Sequence, residues 1–184
     1  MAETQPTPET IEVVFSAATI AERIDAMARQ IAQARLDDLL VVAVLKGSFV
    51  FAADLLRALH RAGLSPQVDF LSLSSYRTAT TSSGSVEIVR DIEIDVAGRN
   101  VLIVDDILES GRTLAFAKDL VAARGAARVL TCVLLDKPVP RAAEIAADFS
   151  AFECPDVFVV GYGMDLGGRL RELPFVGRLV RDTQ

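Results

Sequence analysis

Seven consecutive apolar residues, Leu39-Leu-Val-Val-Ala-Val-Leu45, run straight into Lys46-Gly47-Ser48. A strand that is apolar on both faces needs cover on both faces, and the architecture that supplies it is a parallel sheet with helices on either side. The run is far short of the roughly 20 residues that cross a bilayer, so a buried central strand is expected. Val101-Leu-Ile-Val104 has the same character and ends in Asp105-Asp106. Val129–Leu135 and Val157–Val160 read as two further strands of this kind, closed by Asp136-Lys137-Pro138 and by Gly161-Tyr-Gly-Met-Asp165. In an open α/β sheet, ligands bind beyond the carboxyl ends of the strands, so these polar tails point to one shared site.

The segments between these runs fit the same architecture. Ile11–Phe15 is a short strand, and Ser16 caps a helix to about Leu36 whose Ile20, Ile24, Met27 and Ile31 recur at helical spacing. A helix is expected from Phe49 to about Arg61, stopped by Gly63, and then a strand at Val68–Ser74. Ser75 to Ser85 is small and polar with no apolar period, which predicts a mobile loop able to act as a lid. Val86–Ile94 alternates like a strand pair before a turn at Ala97-Gly98, and a helix after Thr113 ends at Arg124 with Gly125 as its stop. Residues 1–10, with Pro6 and Pro8, read as a disordered tail, leaving 11–184 as a single domain. A chain of 184 residues, 51% hydrophobic, can bury one core and is short for two.

Charge and rare residues narrow the chemistry. A net charge of −6 lacks the basic footprint of a nucleic-acid binder, and neither a membrane span nor a signal peptide is evident, so a cytoplasmic protein is expected. Cys132 sits in an apolar strand and Cys154 before Pro155, which makes neither a disulfide framework nor a metal spacing. The single histidine, His60, falls at the polar end of a helix, where a solvated residue is the better reading. An anionic ligand would therefore be held locally, by backbone amides, a few placed cations and a divalent metal.

Asp105-Asp106 followed by Ser110-Gly111-Arg112-Thr113 puts a carboxylate pair beside a helix N-terminus, one able to grip hydroxyls and the other phosphate. Taken alone, the segment equally fits two solvated aspartates and a serine cap. No G-x-x-x-x-G-K-[ST] string occurs.

The stretch Val101-Leu-Ile-Val-Asp-Asp-Ile-Leu-Glu-Ser-Gly-Arg-Thr113 resembles the phosphoribosyl pyrophosphate signature of type I phosphoribosyltransferases. Leu45-Lys-Gly-Ser48, Ser74-Ser-Tyr76, Leu134-Leu-Asp-Lys-Pro138, Pro155–Asp165 and Arg171 are similar, in order and approximate spacing, to the hypoxanthine-guanine branch. The resemblance covers nearly all of the chain after the tail. It implies an α/β fold of that type, with a central, mostly parallel sheet flanked by helices and a small hood over the carboxyl ends of the strands. It implies transfer of a phosphoribosyl group from phosphoribosyl pyrophosphate to a 6-oxopurine base, with Mg2+, in a homodimer or homotetramer.

Roles follow from the resemblance at each matched position. Asp105 and Asp106 would hold the ribose hydroxyls, and Ser110, Gly111, Arg112 and Thr113 the 5′-phosphate. Lys137 would donate to the purine 6-oxo group, Phe158 would stack on the base, and the Val159 backbone would help read its edge. By themselves, Lys137 reads as a surface lysine and Phe158 as core. Lys46, Gly47 and Arg171 would hold pyrophosphate, at a turn where related enzymes can carry a non-proline cis peptide, and Asp165 would bind magnesium. Ser75 and Tyr76 match the mobile loop that closes over the reaction and excludes water.

Glu109 departs from the pattern, since the matching position in most members is Asp, the proposed base that takes the proton from purine N7. Glutamate keeps the carboxylate and adds a methylene, so reach decides its role; the bland reading is a charge favouring the helix N-terminus. A regulator of the same fold that binds nucleotide and turns over poorly is the alternative. A phosphoacceptor receiver domain fits less well, because its acidic pair belongs on the first strand.

Overall fold

In chain order the elements are β1 (Thr10–Phe15), α1 (Ala17–Gln33), β2 (Leu39–Leu45), α2 (Phe49–Arg61), β3 (Gln67–Ser75), β4 (Val86–Arg90), β5 (Asn100–Leu108), α3 (Arg112–Ala123), β6 (Arg128–Asp136), β7 (Phe149–Glu153), β8 (Val159–Val160) and β9 (Val176–Val180). They are seen in a computed structural model that describes residues 10–75 and 86–180. The two fully apolar runs are neighbours at the centre of a six-stranded sheet ordered β4-β3-β2-β5-β6-β7. All of its pairings are parallel except β3 with β4.

Alternate residues of β2 explain why no polar side chain is tolerated there. Leu39, Val41 and Ala43 pack with Ile20, Ile24, Met27 and Ile31 of α1 and Phe51, Leu55 and Leu59 of α2. Leu40, Val42 and Val44 pack on the opposite side with Leu114, Ala117 and Val121 of α3. Ser16 caps α1 as its residue type predicts, accepting from the Thr19 backbone N–H at 3.2 Å. The helix ends at Gln33, short of Leu36, because Arg35 turns left-handed (φ 51°) and sends the chain back into β2. No described helix is long and apolar enough to cross a membrane.

Two expectations are corrected. Val157–Val160 does not join the main sheet: only Val159–Val160 is a strand, in a separate antiparallel sheet ordered β1-β9-β8. The edge strand beside β6 is β7, whose residues are mostly only partly buried and so carry little apolar signal. Thr10, assigned to the tail, is the first residue of β1 and pairs with Val180. The lid expected from Ser75 to Ser85 lies, apart from the backbone of Ser75 in β3, outside the described residues, as does Tyr76. The small sheet and the hairpin after β8 form the hood at the carboxyl ends of β2, β5 and β6.

Candidate active site

A cleft of about 570 Å³ opens between those strand ends and the hood. Its floor comes from three strand tails: Lys46 and Gly47 after β2, Asp106 and Glu109 at the end of β5, and Lys137 after β6. Its wall comes from the hood, through Phe158, Val159, Asp165 and Arg171. Residues that sequence reasoning drew from four separate stretches and from Arg171 therefore face one space. Asp105, Ser110, Gly111, Arg112 and Thr113 do not line it; they belong to the adjoining end of β5 and the start of α3.

Lys137 is only 5% exposed, which rules out the surface reading. Its Nζ lies 3.2 Å from Oε2 of Glu109 and 3.9 Å from Oδ1 of Asp156. An ammonium this buried needs a counter-ion, and Glu109 is the nearer one. Phe158 is 57% exposed at the cleft, so it is not core.

Asp105 and Asp106 behave as a desolvated pair. Burial, and then repulsion from Asp106, hold Asp105 well above the usual carboxylate range. Burial also raises Asp106, against hydrogen bonds that include its neighbour and against the pull of Arg171. The Asp106 backbone N–H donates to Oδ1 of Asp105 at 3.0 Å.

The turn into α3 is organised by Gly111, the cap residue, at φ 77°. A Cβ there would stand 2.8 Å from Cγ2 of Ile145, so glycine is needed both for the left-handed backbone and for the close approach of the 142–145 segment. Ser110 is not the helix cap; its Oγ accepts from the Arg112 N–H at a long 3.5 Å. Its carbonyl accepts from the N–H groups of Ala142 (2.9 Å) and Ala143 (3.2 Å).

On the hood side, Arg171 Nη2 pairs with Asp165 Oδ1 at 2.7 Å and Nη1 donates to the Gly163 carbonyl at 2.6 Å. Asp165 Oδ2 accepts from the Gly168 N–H at 2.6 Å. A cis peptide is present one bond before the turn indicated by sequence, between Leu45 and Lys46. His60 is exposed in the last turn of α2, and both cysteines are buried.

The cleft also includes Ser72, Leu73 and Ser74 of β3, Val89 of β4, and Met164. None was given a role from the sequence, although Ser74 and Met164 fall within matched segments. The parallel pairing of β3 beside β2 is the signal that puts its carboxyl end at the same edge.

A family model described as phosphoribosyl transferase domain matches residues 14–166. The hypoxanthine phosphoribosyltransferase of Escherichia coli K12 is 39% identical over 174 residues, covering 93% of this chain and 96% of that one. The hypoxanthine-guanine phosphoribosyltransferase of Dictyostelium discoideum is 39% identical over 170 residues, covering 91% and 94%. A solved structure of Trypanosoma cruzi hypoxanthine phosphoribosyl transferase superposes with a TM-score of 0.88 at 34% identity, covering 96% of this chain and 95% of that one.

Proposed function

Because this chain belongs to the phosphoribosyl transferase family, and within it to the hypoxanthine-guanine branch, we propose that the cleft joins the two substrates across its floor, base at one end and pyrophosphate at the other. The reaction is one of purine salvage: the 5-phosphoribosyl group of phosphoribosyl pyrophosphate passes to N9 of hypoxanthine or guanine, giving IMP or GMP and pyrophosphate. The observation that carries the assignment of residues is the convergence of Lys46, Gly47, Asp106, Glu109, Lys137, Phe158, Asp165 and Arg171 on one cleft.

At the base end, the Lys137–Glu109 pair matches the edge of a 6-oxopurine, where O6 and N7 are adjacent. Lys137 donates to O6, Glu109 accepts the N7 proton as N9 attacks, Phe158 stacks on the ring, and the Val159 backbone reads the edge. The base takes the place of the ion pair, so each charged group keeps a partner. Adenine offers an amino group to a lysine that has donors only, and an unpaired buried group costs about 1–3 kcal/mol, roughly tenfold or more in discrimination.

At the other end, Lys46, Gly47 and Arg171 hold pyrophosphate. Asp105 and Asp106 accept from the ribose hydroxyls, and Ser110 to Thr113, at the N-terminus of α3, receive the 5′-phosphate. Positioning and electrostatics supply most of the rate.

The donors fit magnesium. Asp165 offers carboxylate oxygens at the cleft wall, and one carboxylate suffices where substrate phosphates complete the shell. Bound there, the ion would neutralise charge on the departing pyrophosphate. The same reading makes the chain a cytoplasmic homodimer or homotetramer.

Steady-state kinetics on hypoxanthine, guanine, xanthine and adenine, with and without magnesium, test the assignment. Strong preference for 6-oxopurines and loss of turnover without magnesium are expected. Adenine as good a substrate as hypoxanthine removes Lys137 from its role.

A further inference from the structure

Behind the cleft lies a contact between two residues that have no role above. Tyr162 is 5% exposed and holds φ 51°, between Gly161 at 90° and Gly163 at 99°. A bulky aromatic residue rarely adopts that backbone, so surrounding contacts must hold it there. Its phenol donates to Oδ2 of Asp54 on α2 at 2.6 Å, while Oδ1 of Asp54 accepts from Arg57 at 2.8 Å. Burial, reinforced by the Asp54 carboxylate, pushes the phenol well above its usual range, so it remains a donor at any working pH.

The two elements joined by this bond are the two sides of the pyrophosphate end. Tyr162 sits in the hood hairpin: its N–H donates to the Leu173 carbonyl at 2.9 Å, and the Gly163 N–H donates to the Arg171 carbonyl at 3.0 Å. The same hairpin carries the Asp165–Arg171 pair. Asp54 sits on α2, which begins at Phe49, just after the Lys46-Gly47 turn. The hairpin and the turn touch directly, since a Cβ on Gly163 would lie 2.2 Å from the Gly47 carbonyl oxygen. Backbone packed this closely has little room to absorb a shift of the hairpin relative to α2.

We infer that Tyr162 and Asp54 form a positioning pair that sets the separation between the Lys46-Gly47 turn and the Asp165–Arg171 pair. This rests on the reading of those four residues as the pyrophosphate end. Neither Tyr162 nor Asp54 lines the cleft; both border a separate hollow between α1, α2 and the 172–174 segment. Their effect is therefore indirect, and it falls on one substrate: the base is held by Lys137, Phe158 and Val159, to which the pair makes no hydrogen bond among the described residues.

Tyr162→Phe removes only the O–H, Asp54→Leu removes the acceptor, and Asp54→Asn keeps an acceptor oxygen. For each, KM for phosphoribosyl pyrophosphate, KM for hypoxanthine, kcat and melting temperature are measured, with calorimetric binding of pyrophosphate in magnesium. Expected are a rise of about tenfold or more in KM for phosphoribosyl pyrophosphate in Tyr162→Phe and Asp54→Leu, a parallel loss of pyrophosphate affinity, an unchanged KM for hypoxanthine, and recovery in Asp54→Asn. Equal rises in both KM values alongside a lowered melting temperature overturn the inference, because they mark a contact that serves only the fold. Arg171→Ala separates the two levels of the argument. If it weakens pyrophosphate binding while Tyr162→Phe does not, the positioning pair alone is wrong; if Arg171→Ala leaves that binding intact, the pyrophosphate reading fails and the pair with it.

Discussion

The carboxylate of Asp106 occupies the space that a side chain on Gly47 would need: a Cβ on Gly47 would stand 1.8 Å from Oδ2 and 2.5 Å from Cγ of Asp106. These residues come from different strand tails, and glycine is what allows the turn after β2 to close on the acidic pair at the end of β5.

Gly47→Ala should therefore displace Asp106 rather than unfold the chain. The overlap is with a side chain that can rotate, so the stability cost belongs at the low end of the about 1–3 kcal/mol typical of overpacking. The displaced carboxylate is a proposed ribose ligand, so KM for phosphoribosyl pyrophosphate should rise by about tenfold or more. Kinetics beside a thermal melt check this; a large fall in melting temperature with unaltered KM contradicts it.

Glu109→Gln keeps the shape and removes the charge. If Glu109 is the base, turnover should fall by about a hundredfold or more, while a thermal melt reads separately what the buried Lys137 loses with its nearer counter-ion. Turnover near the parent value, measured under single-turnover conditions, would reduce Glu109 to a counter-ion for Lys137. Glu109→Asp asks whether the pocket has been shaped around the longer side chain. Lower turnover is expected, since shortening the carboxylate also draws it away from the Lys137 ammonium now 3.2 Å off.

The Asp105–Asp106 pair should make the protein more stable when one charge is removed. Both groups sit above the ordinary value of 3.8 in the folded chain. A raised folded-state value means the ionised pair opposes folding: the penalty is full above the folded-state values and vanishes below the unfolded one. Asp105→Asn should accordingly raise the melting temperature at neutral pH, with the gain shrinking as pH falls toward the ordinary carboxylate range. It should also weaken ribose binding. Melting curves of both forms across that pH range check the sign, and a gain that grows on acidification would reverse it.

Asp69 shows the opposite linkage. Its carboxylate accepts from the backbone N–H groups of Phe70 (2.7 Å), Glu93 (2.7 Å) and Ile94 (2.8 Å), tying the segment after β4 to β3. Burial works to raise it, but those three donors, aided by Arg90, leave it below its usual range. A lowered value contributes stability that is present above the unfolded value and lost as pH falls through the folded one. Asp69→Asn should cost about 1–3 kcal/mol at neutral pH, with the difference closing in acid, as denaturant titrations at two pH values would show.

What could be read without coordinates was local. Leu39–Leu45 and Phe49–Arg61 are found with the bounds their patterns predict, because apolar runs, periodicity and glycine stops act over a few residues. The matched segments likewise named the cleft's charged residues. Where pattern was weak or shared, the reading failed: β7 hides most of its apolar character in partial burial, and Val157–Val160 has the composition of a core strand, yet only its Val159–Val160 is a strand, paired with β9 in the hood. A run of valines specifies burial, not the neighbour that provides it. The contact of Lys137 with Glu109, the overlap that requires Gly47 opposite Asp106, and the bond from Tyr162 to Asp54 join residues 28, 59 and 108 positions apart. Such pairs exist only once strand order has been chosen, and strand order is set by the cooperative packing of both sheet faces, which no short stretch of the chain contains.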